Sequence, residues 1–294
     1  MKLLLTGSNG QVGFELQRSL AVMGEVIAID AAECDLADEV AIRRVVRDIR
    51  PDVIINPAAY TAVDKAEREP ALAQAINTRA PFVLAEEAQD LGALLVHYST
   101  DYVFDGTKPG AYKESDLTNP TSVYGATKLA GEQAVAANCT RHLILRTSWV
   151  VGAHGGNFAK TMLRLAAERD TLNVVADQFG APTSAALLAD LTSHLVCQAQ
   201  RTPAGFSYGL YHAVADGETN WHAYACHVIE RARAAGKPIR VAPEAIRAVT
   251  TSDYPTLAKR PANSRLDTNL LRETFGLHLP DWKVGVDHIL DQIL

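Results

Sequence analysis

Short apolar runs and longer mixed stretches alternate along the first half of the chain. "KLLLT" (2–6), "EVIAID" (25–30), "DVIIN" (52–56), "LLVHYST" (94–100) and "HLILRT" (142–147) are nearly continuous in hydrophobic residues. Runs of that kind suit parallel strands covered on both faces. Between them, residues 11–23, 38–49, 71–91 and 122–137 carry helical spacing. Strand–helix–strand alternation predicts an α/β fold with a doubly wound parallel sheet. A helix is expected at 157–169, followed by the run "LNVVAD" (172–177).

Beyond residue 180 the rhythm loosens. "LLADLTSHLVCQA" predicts a helix, "GLYHAVA" (209–215) a strand and 219–235 another helix. Residues 236–267, rich in Pro, Thr and Ser, predict loop with one short strand. "WKVGVDHILDQIL" predicts a closing amphipathic helix. The division expected is a nucleotide-binding domain over 1–150 and, over 151–294, mainly a smaller substrate-binding lobe interleaved with it.

Composition narrows the class. The 294 residues are 48% hydrophobic and 21% charged, a globular profile. A net charge of −6 lends no support to nucleic acid or an anionic membrane as partner. Cys34, Cys139, Cys197 and Cys226 are widely spaced and form neither a zinc framework nor a disulfide scaffold. The apolar opening "MKLLLT" stops too soon for a signal peptide, and no run reaches the ~18 apolar residues of a membrane span. The expectation is a cytoplasmic enzyme.

Two places carry chemistry. The first strand runs into Gly7-x-x-Gly10-x-x-Gly13 and then a helix. Glycines let the chain turn sharply and approach a pyrophosphate, and the helix start offers free N–H groups. Asp30 ends the second strand, where a carboxylate can bond an adenosine ribose. "PAAYT" (57–61) brings Ala59, Tyr60 and Thr61 to the end of the third strand, where small residues leave room for ribose and phosphates.

The second place is the end of the fourth strand and the helix after it. Thr100 and Asp101 close the strand, and ligands of open α/β sheets bind at such carboxyl ends. Tyr124 and Lys128, four apart on a helix, share one face. A free phenol has a pKa near ~10 and transfers protons poorly at neutral pH unless its anion is stabilised. An ammonium one turn away can lower it, and Thr100 can hold the same substrate oxygen. The plainer alternative is packing.

The glycine spacing with Tyr–x–x–x–Lys resembles the extended short-chain dehydrogenase/reductases. The stretches "NPAAYTAVDKAEREP", "VHYSTDYVFDGT", "VYGATKLAGE", "LRTSWVVG", "GGNFAKTMLRLA", "DQFGAPTSA" and "RPANSRLDT" resemble, in order and over essentially the whole chain, the dTDP-4-dehydrorhamnose reductase family. The resemblance implies a Rossmann-type domain and reduction of the C4 keto group of dTDP-6-deoxy-L-lyxo-4-hexulose with NADPH or NADH, giving dTDP-L-rhamnose.

It also implies roles. Tyr124 would be the general acid, Lys128 its tuning charge and nicotinamide-ribose ligand, and Thr100 the group that orients the keto oxygen. Gly10, Gln11 and Val12 would hold the pyrophosphate. Asp30, Asp35, Leu36, Ala59, Tyr60, Thr61 and Tyr98 would line the rest of the cofactor. Thr100, Asp101 and Trp149 would contact the sugar nucleotide, and Arg260 could meet its diphosphate or be a solvated loop charge. Asp177, Gln178 and Thr183 could bind the sugar nucleotide or only shape the lobe junction.

Several residues read more plainly. His97 is expected as a satisfied core histidine, His222 and His227 as surface or packing residues, and Arg43, Arg44 and Arg47 as a solvated basic stripe. No metal is expected: the acidic positions of metal-bridged family dimers match Glu15, but also Ala186 and Gln292, which are not acids. A monomer or weak homodimer indifferent to chelators follows. A dehydratase of the superfamily would carry Thr-Asp-Glu where this chain has Thr100-Asp101-Tyr102, and an epimerase would lack the family stretches. A non-catalytic dinucleotide-binding subunit, like the methionine adenosyltransferase beta subunit, is the rival from another class.

Overall fold

Burial on both faces is what lets the apolar runs become a parallel sheet. In the computed structural model, which describes residues 1–294, β1 (Lys2–Leu5), β2 (Glu25–Ala28), β3 (Val53–Asn56), β4 (Leu94–Thr100) and β5 (His142–Thr147) alternate with α1 (Gln11–Leu20), α2 (Glu39–Ile49), α5 (Ala80–Leu91) and α6 (Val123–Asn138). Two short helices, α3 (Val63–Ala66) and α4 (Pro70–Gln74), precede α5. The later elements are β6 (Val150–Val151), α7 (Phe158–Glu168), β7 (Leu172–Val175), β8 (Phe179–Gly180), β9 (Thr183–Ser184), α8 (Ala185–Arg201), β10 (Gly209–His212), β11 (Thr219–Asn220), α9 (Trp221–Ala234), β12 (Ile246–Val249), α10 (Asn269–Phe275) and α11 (Trp282–Ile293).

Six strands form one parallel sheet in the order β10-β5-β4-β3-β1-β2. Leu3 and Leu5 of β1 enter one core with α1 and α8, while Leu4 enters the other with α2, α5 and α6. That period of two, apolar on both sides, is why these strands are written as unbroken hydrophobic runs. The strand order reverses between β1 and β3, and there a crevice opens at the carboxyl ends. No helix is long and apolar enough to cross a membrane.

The second half of the chain contributes to two hydrophobic cores. β10, α8 and Leu271, Phe275 and Leu279 join the core that holds β1 and β4. A separate core gathers α7, α9 and α11 around β7, β12 and Tyr224.

Two expectations change. The helix expected over 71–91 is α4, a π-helical turn at Ala75–Arg79, then α5. Pro81 has no N–H to donate, and that turn carries the wider spacing past it. The widened turn lets α6 come close: a Cβ on Gly131 would lie 2.2 Å from the Asn77 carbonyl. The basic stripe of α2 is not solvated throughout. Arg43 and Arg47 both bond Glu87 of α5, whose side chain is 2% exposed, and Arg43 also pairs with Glu86. Those partners lie some forty residues away in sequence, beyond the reach of a helical-spacing argument.

Candidate active site

The glycine turn is built for close approach. Gly7 has φ +59°, and a Cβ there would sit 3.0 Å from Ala58. A Cβ on Gly13 would lie 2.0 Å from the Gly7 carbonyl, so only hydrogen fits. α1 starts on Gly10 with no side-chain cap, leaving its first N–H groups directed at the crevice. The crevice holds ≈ 570 Å³. Its lining includes Gly7, Gly10, Gln11, Val12, Gly13, Asp30, Asp35, Leu36, Ala59, Thr61, Tyr98, Tyr124 and Lys128. A turn that leaves no room for a Cβ at Gly7 or Gly13, with a carboxylate at the end of β2, fits a dinucleotide.

Tyr60 is the one expected cofactor residue outside this lining. Its hydroxyl bonds Glu69, while its backbone is held by Asn77 through a 2.8 Å and a 3.1 Å bond. Asn77 also bonds Thr127 of α6, so it ties the loop after β3 to the helix that carries Tyr124 and Lys128. Gln11 lines the crevice, but its side-chain oxygen accepts from Gly152 N–H and from Asn157, 2.8 and 3.0 Å away. It thereby braces the loop that brings Gly155 and Gly156, unassigned from sequence, to the same crevice. Tyr98 enters the lining with its phenol turned to Thr192, 2.5 Å away.

Asp30 accepts from the Ala32 N–H at 2.8 Å and from the Asn9 side chain, which fixes its carboxylate at the rim. A negative charge there repels a 2′-phosphate. Asp30→Ala is expected to raise the NADPH-to-NADH ratio of kcat/KM about fivefold or more, since like charges 4 Å apart in water are worth ~1 kcal/mol. An unchanged ratio would show that Asp30 does not face the ribose.

At the other end, Tyr124 and Lys128 lie on α6, which is capped by the Ser122 hydroxyl on the Gly125 N–H. Gly125 is required by packing: a Cβ would meet the Tyr102 carbonyl at 2.2 Å. Glu132, two turns after Tyr124 on the same face, makes a two-pronged ion pair with Arg146 of β5 at 2.8 and 2.6 Å. Both side chains are 4% exposed. Tyr124, Lys128 and Glu132 thus form one stripe, reactive at its start and anchored at its end.

The electrostatics differ from the sequence expectation in one respect. Burial raises the Tyr124 phenol above its ordinary value, while the Thr100 hydroxyl pulls it back down. Lys128 donates toward the Tyr98 carbonyl at 2.6 Å and His97 at 3.3 Å and makes no hydrogen bond to the phenol. Its ammonium is pushed down to about 8 by burial, opposed by the charge of Glu132. A protonated phenol beside a cation is the state in which a proton donor must start.

Thr100 donates to the Asp101 carboxylate at 3.1 Å and accepts from the Tyr102 N–H. Asp101 is 2% exposed, and burial lifts its carboxyl to about 6 against the opposing influence of the nearby Ser264 hydroxyl and the Thr100 hydrogen bond. Its Oδ2 has no partner. Tyr102 packs edge-on against Tyr124, ring centroids 5.4 Å apart.

Arg260 is not a solvated charge. It bonds Asp64 at 2.6 Å and the Tyr102 hydroxyl at 3.1 Å. Trp149 takes a left-handed backbone, φ +48°, and stacks on Trp221 at 3.6 Å. Trp221 donates to Gln178, which in turn bonds Thr251, as does Asp177. Thr183 is fully buried between Ala181 and Ala215. His222 bonds the Ile246 carbonyl and His227 bonds Asp287. Glu15 lies against Arg18.

The chain matches the family model described as the RmlD substrate binding domain over residues 1–294. It is 52% identical to the dTDP-4-dehydrorhamnose reductase of Salmonella typhimurium, with 100% of this chain and 98% of that protein aligned. The crystal structure of a dTDP-4-dehydrorhamnose reductase from Clostridium acetobutylicum superposes with a TM-score of 0.90 at 38% identity, covering 100% of this chain and 99% of that one. One from Bacillus anthracis, in complex with NADP, gives 0.87 at 36% identity, covering 99% of each.

Proposed function

The chain belongs to the dTDP-4-dehydrorhamnose reductase family, and from that premise we propose that it reduces the C4 keto group of dTDP-6-deoxy-L-lyxo-4-hexulose to dTDP-L-rhamnose. What supports the reading is that Tyr124 and Lys128 line a glycine-cradled crevice, with Thr100, outside that lining, beside the Tyr124 phenol. NADPH or NADH, when bound, supplies the hydride.

The glycine turn and the start of α1 would hold the pyrophosphate, Asp30 the adenosine ribose, and Lys128 the nicotinamide ribose. Tyr124, kept protonated by burial, gives its proton to the C4 oxygen as negative charge develops there. Thr100 turns its one hydroxyl proton from Asp101 to the same oxygen and orients it. Lys128 carries positive charge on the next helical turn and lowers the energy of the phenolate left behind. The unpartnered Asp101 Oδ2 is available to a sugar hydroxyl. Trp149 offers a partly buried aromatic face to the sugar nucleotide, and Arg260 a guanidinium to its diphosphate.

In this reading residues 1–150 carry the cofactor and 151–294 mainly the sugar nucleotide, with α8 and β10 built into the nucleotide-binding body. The reaction belongs to the cytoplasm, with a dTDP-sugar as partner, no nucleic acid or membrane, and a monomer or weak homodimer as the working form. The test is a panel of nucleotide 4-ketosugars with NADH and NADPH, the C4 configuration of the product being read by NMR. Oxidation of the dinucleotide only with the dTDP-ketosugar, yielding the L-rhamno product, is expected. Dinucleotide binding without turnover on any member would overturn it in favour of a non-catalytic subunit.

A further inference from the structure

We propose, resting on the reductase reading of Tyr124 and Lys128, that His97 is a positioning residue: its uncharged imidazole accepts a hydrogen bond from Lys128 and aims the ammonium without cancelling its charge.

His97 lies in the middle of β4, fully buried. Its Nε2 is 3.3 Å from Lys128 Nζ, and its Nδ1 is 3.1 Å from the Asn56 carboxamide of β3. The other end of that carboxamide is 2.6 Å from the Thr6 hydroxyl, one residue before Gly7. A buried polar chain therefore runs from the glycine turn, beneath the crevice, to the lysine. Packing alone does not require it, because apolar side chains at positions 6, 56 and 97 would fill this space without three desolvated polar groups beside Lys128.

The proton count sets the direction of the chain. An ammonium has only donors, so Nε2 must accept and the ring proton must sit on Nδ1. The structure turns Asn56 Nδ2 to the ring and Oδ1 to Thr6; an ammonium on Nε2 requires the opposite, oxygen to the ring and NH₂ to Thr6, which a half-turn of the carboxamide gives. Lys128 has three N–H donors. The Tyr98 carbonyl and His97 take two, and one is left for the crevice that Lys128 lines.

A neutral acceptor suits the task better than a carboxylate. Asp or Glu at this position would pair with Lys128 and remove the field that the phenolate needs. Burial and the charge of Lys128 keep the His97 ring well below the ordinary imidazole range, so it stays uncharged. Asn56 and Thr6, packed on its other side, are neutral, as is its β5 neighbour Ile144. Glu132, the carboxylate that acts on Lys128, is already paired with Arg146.

The test compares His97→Gln, which keeps an acceptor near the Nε2 position, with His97→Asn, which keeps only the Nδ1 side, and with His97→Leu. The readouts are the pH midpoint of NADH binding, titrated by fluorescence without any sugar, and kcat with the ketosugar. A hydrogen bond to the ammonium favours the charged form, so losing it moves deprotonation of Lys128 to lower pH. The Asn and Leu variants are expected to shift that midpoint down by about one pH unit and to lose about tenfold in kcat, while Gln restores both. Asn and Gln variants alike in midpoint and kcat would overturn the proposal, even if the Leu variant fails to fold. A wild-type protein inactive on the ketosugar would overturn the reductase reading, and the NADH titration would still decide on His97.

Discussion

Tyr124→Phe is expected to lower kcat between about a hundredfold and ten-thousandfold, the usual worth of a positioned general acid. The ring stays and only the hydroxyl goes, so NADH affinity should remain within about twofold of wild type, a difference well under the ~1.4 kcal/mol that makes a factor of ten. Burial already holds the phenol protonated, and Thr100 is the side chain that favours its ionised form. Without the hydroxyl, the developing alkoxide has Thr100 but no proton. Stopped-flow turnover with the ketosugar and fluorescence titration with NADH make the check. A variant retaining more than about a tenth of kcat would remove Tyr124 from the mechanism.

Glu132→Ala carries the largest expected effect on stability. The change leaves the Arg146 guanidinium, 4% exposed, without its carboxylate and with Nη1 already unpartnered. Stranding one member of a buried pair costs about 3–5 kcal/mol. For a chain of this size that lowers Tm by roughly 6 °C or more. The Phe104 ring, whose centroid is 5.0 Å from the guanidinium carbon, and the charge of Glu114, which makes no hydrogen bond to it, are what remain. Replacing both partners, Glu132→Leu with Arg146→Met, should recover much of the loss, because no charge is then left unpaired. Thermal unfolding of the single and double variants decides. A single variant within about 1 kcal/mol of wild type would mean that the pair acts as an exposed one. Since Glu132 ends the stripe that begins at Tyr124, the single variant should also loosen the reactive end of α6.

Both effects bear on what could be read from the chain alone. The parallel sheet, the glycine turn and the Tyr–Lys stripe rest on short-range rules. A strand buried on both faces must be apolar throughout, a backbone touching a pyrophosphate must lack Cβ, and residues four apart on a helix must share a face. Those rules need no knowledge of the rest of the fold. They placed Gly7, Gly13, Asp30, Tyr124 and Lys128 around one crevice.

The partners of those residues were not legible in the same way. Asn56, Asn77, Glu87 and Arg146 are ordinary polar residues in their own segments, with no spacing that marks them; His97 reads as a satisfied core histidine, as its full burial and partners show, but the chain does not say which partners. Their roles come from neighbours that lie 14 to 50 residues away in sequence. Tyr60 turns to Glu69, 9 residues on, and Arg260 is held by Asp64 and Tyr102, 196 and 158 residues back, partners that nothing in their own segments indicates. Local sequence determines which backbone shapes are possible and which faces are apolar. Which buried donor meets which acceptor is decided only when the strands take their order and the helices pack on them, because a desolvated polar group must find its partner in space and not along the chain.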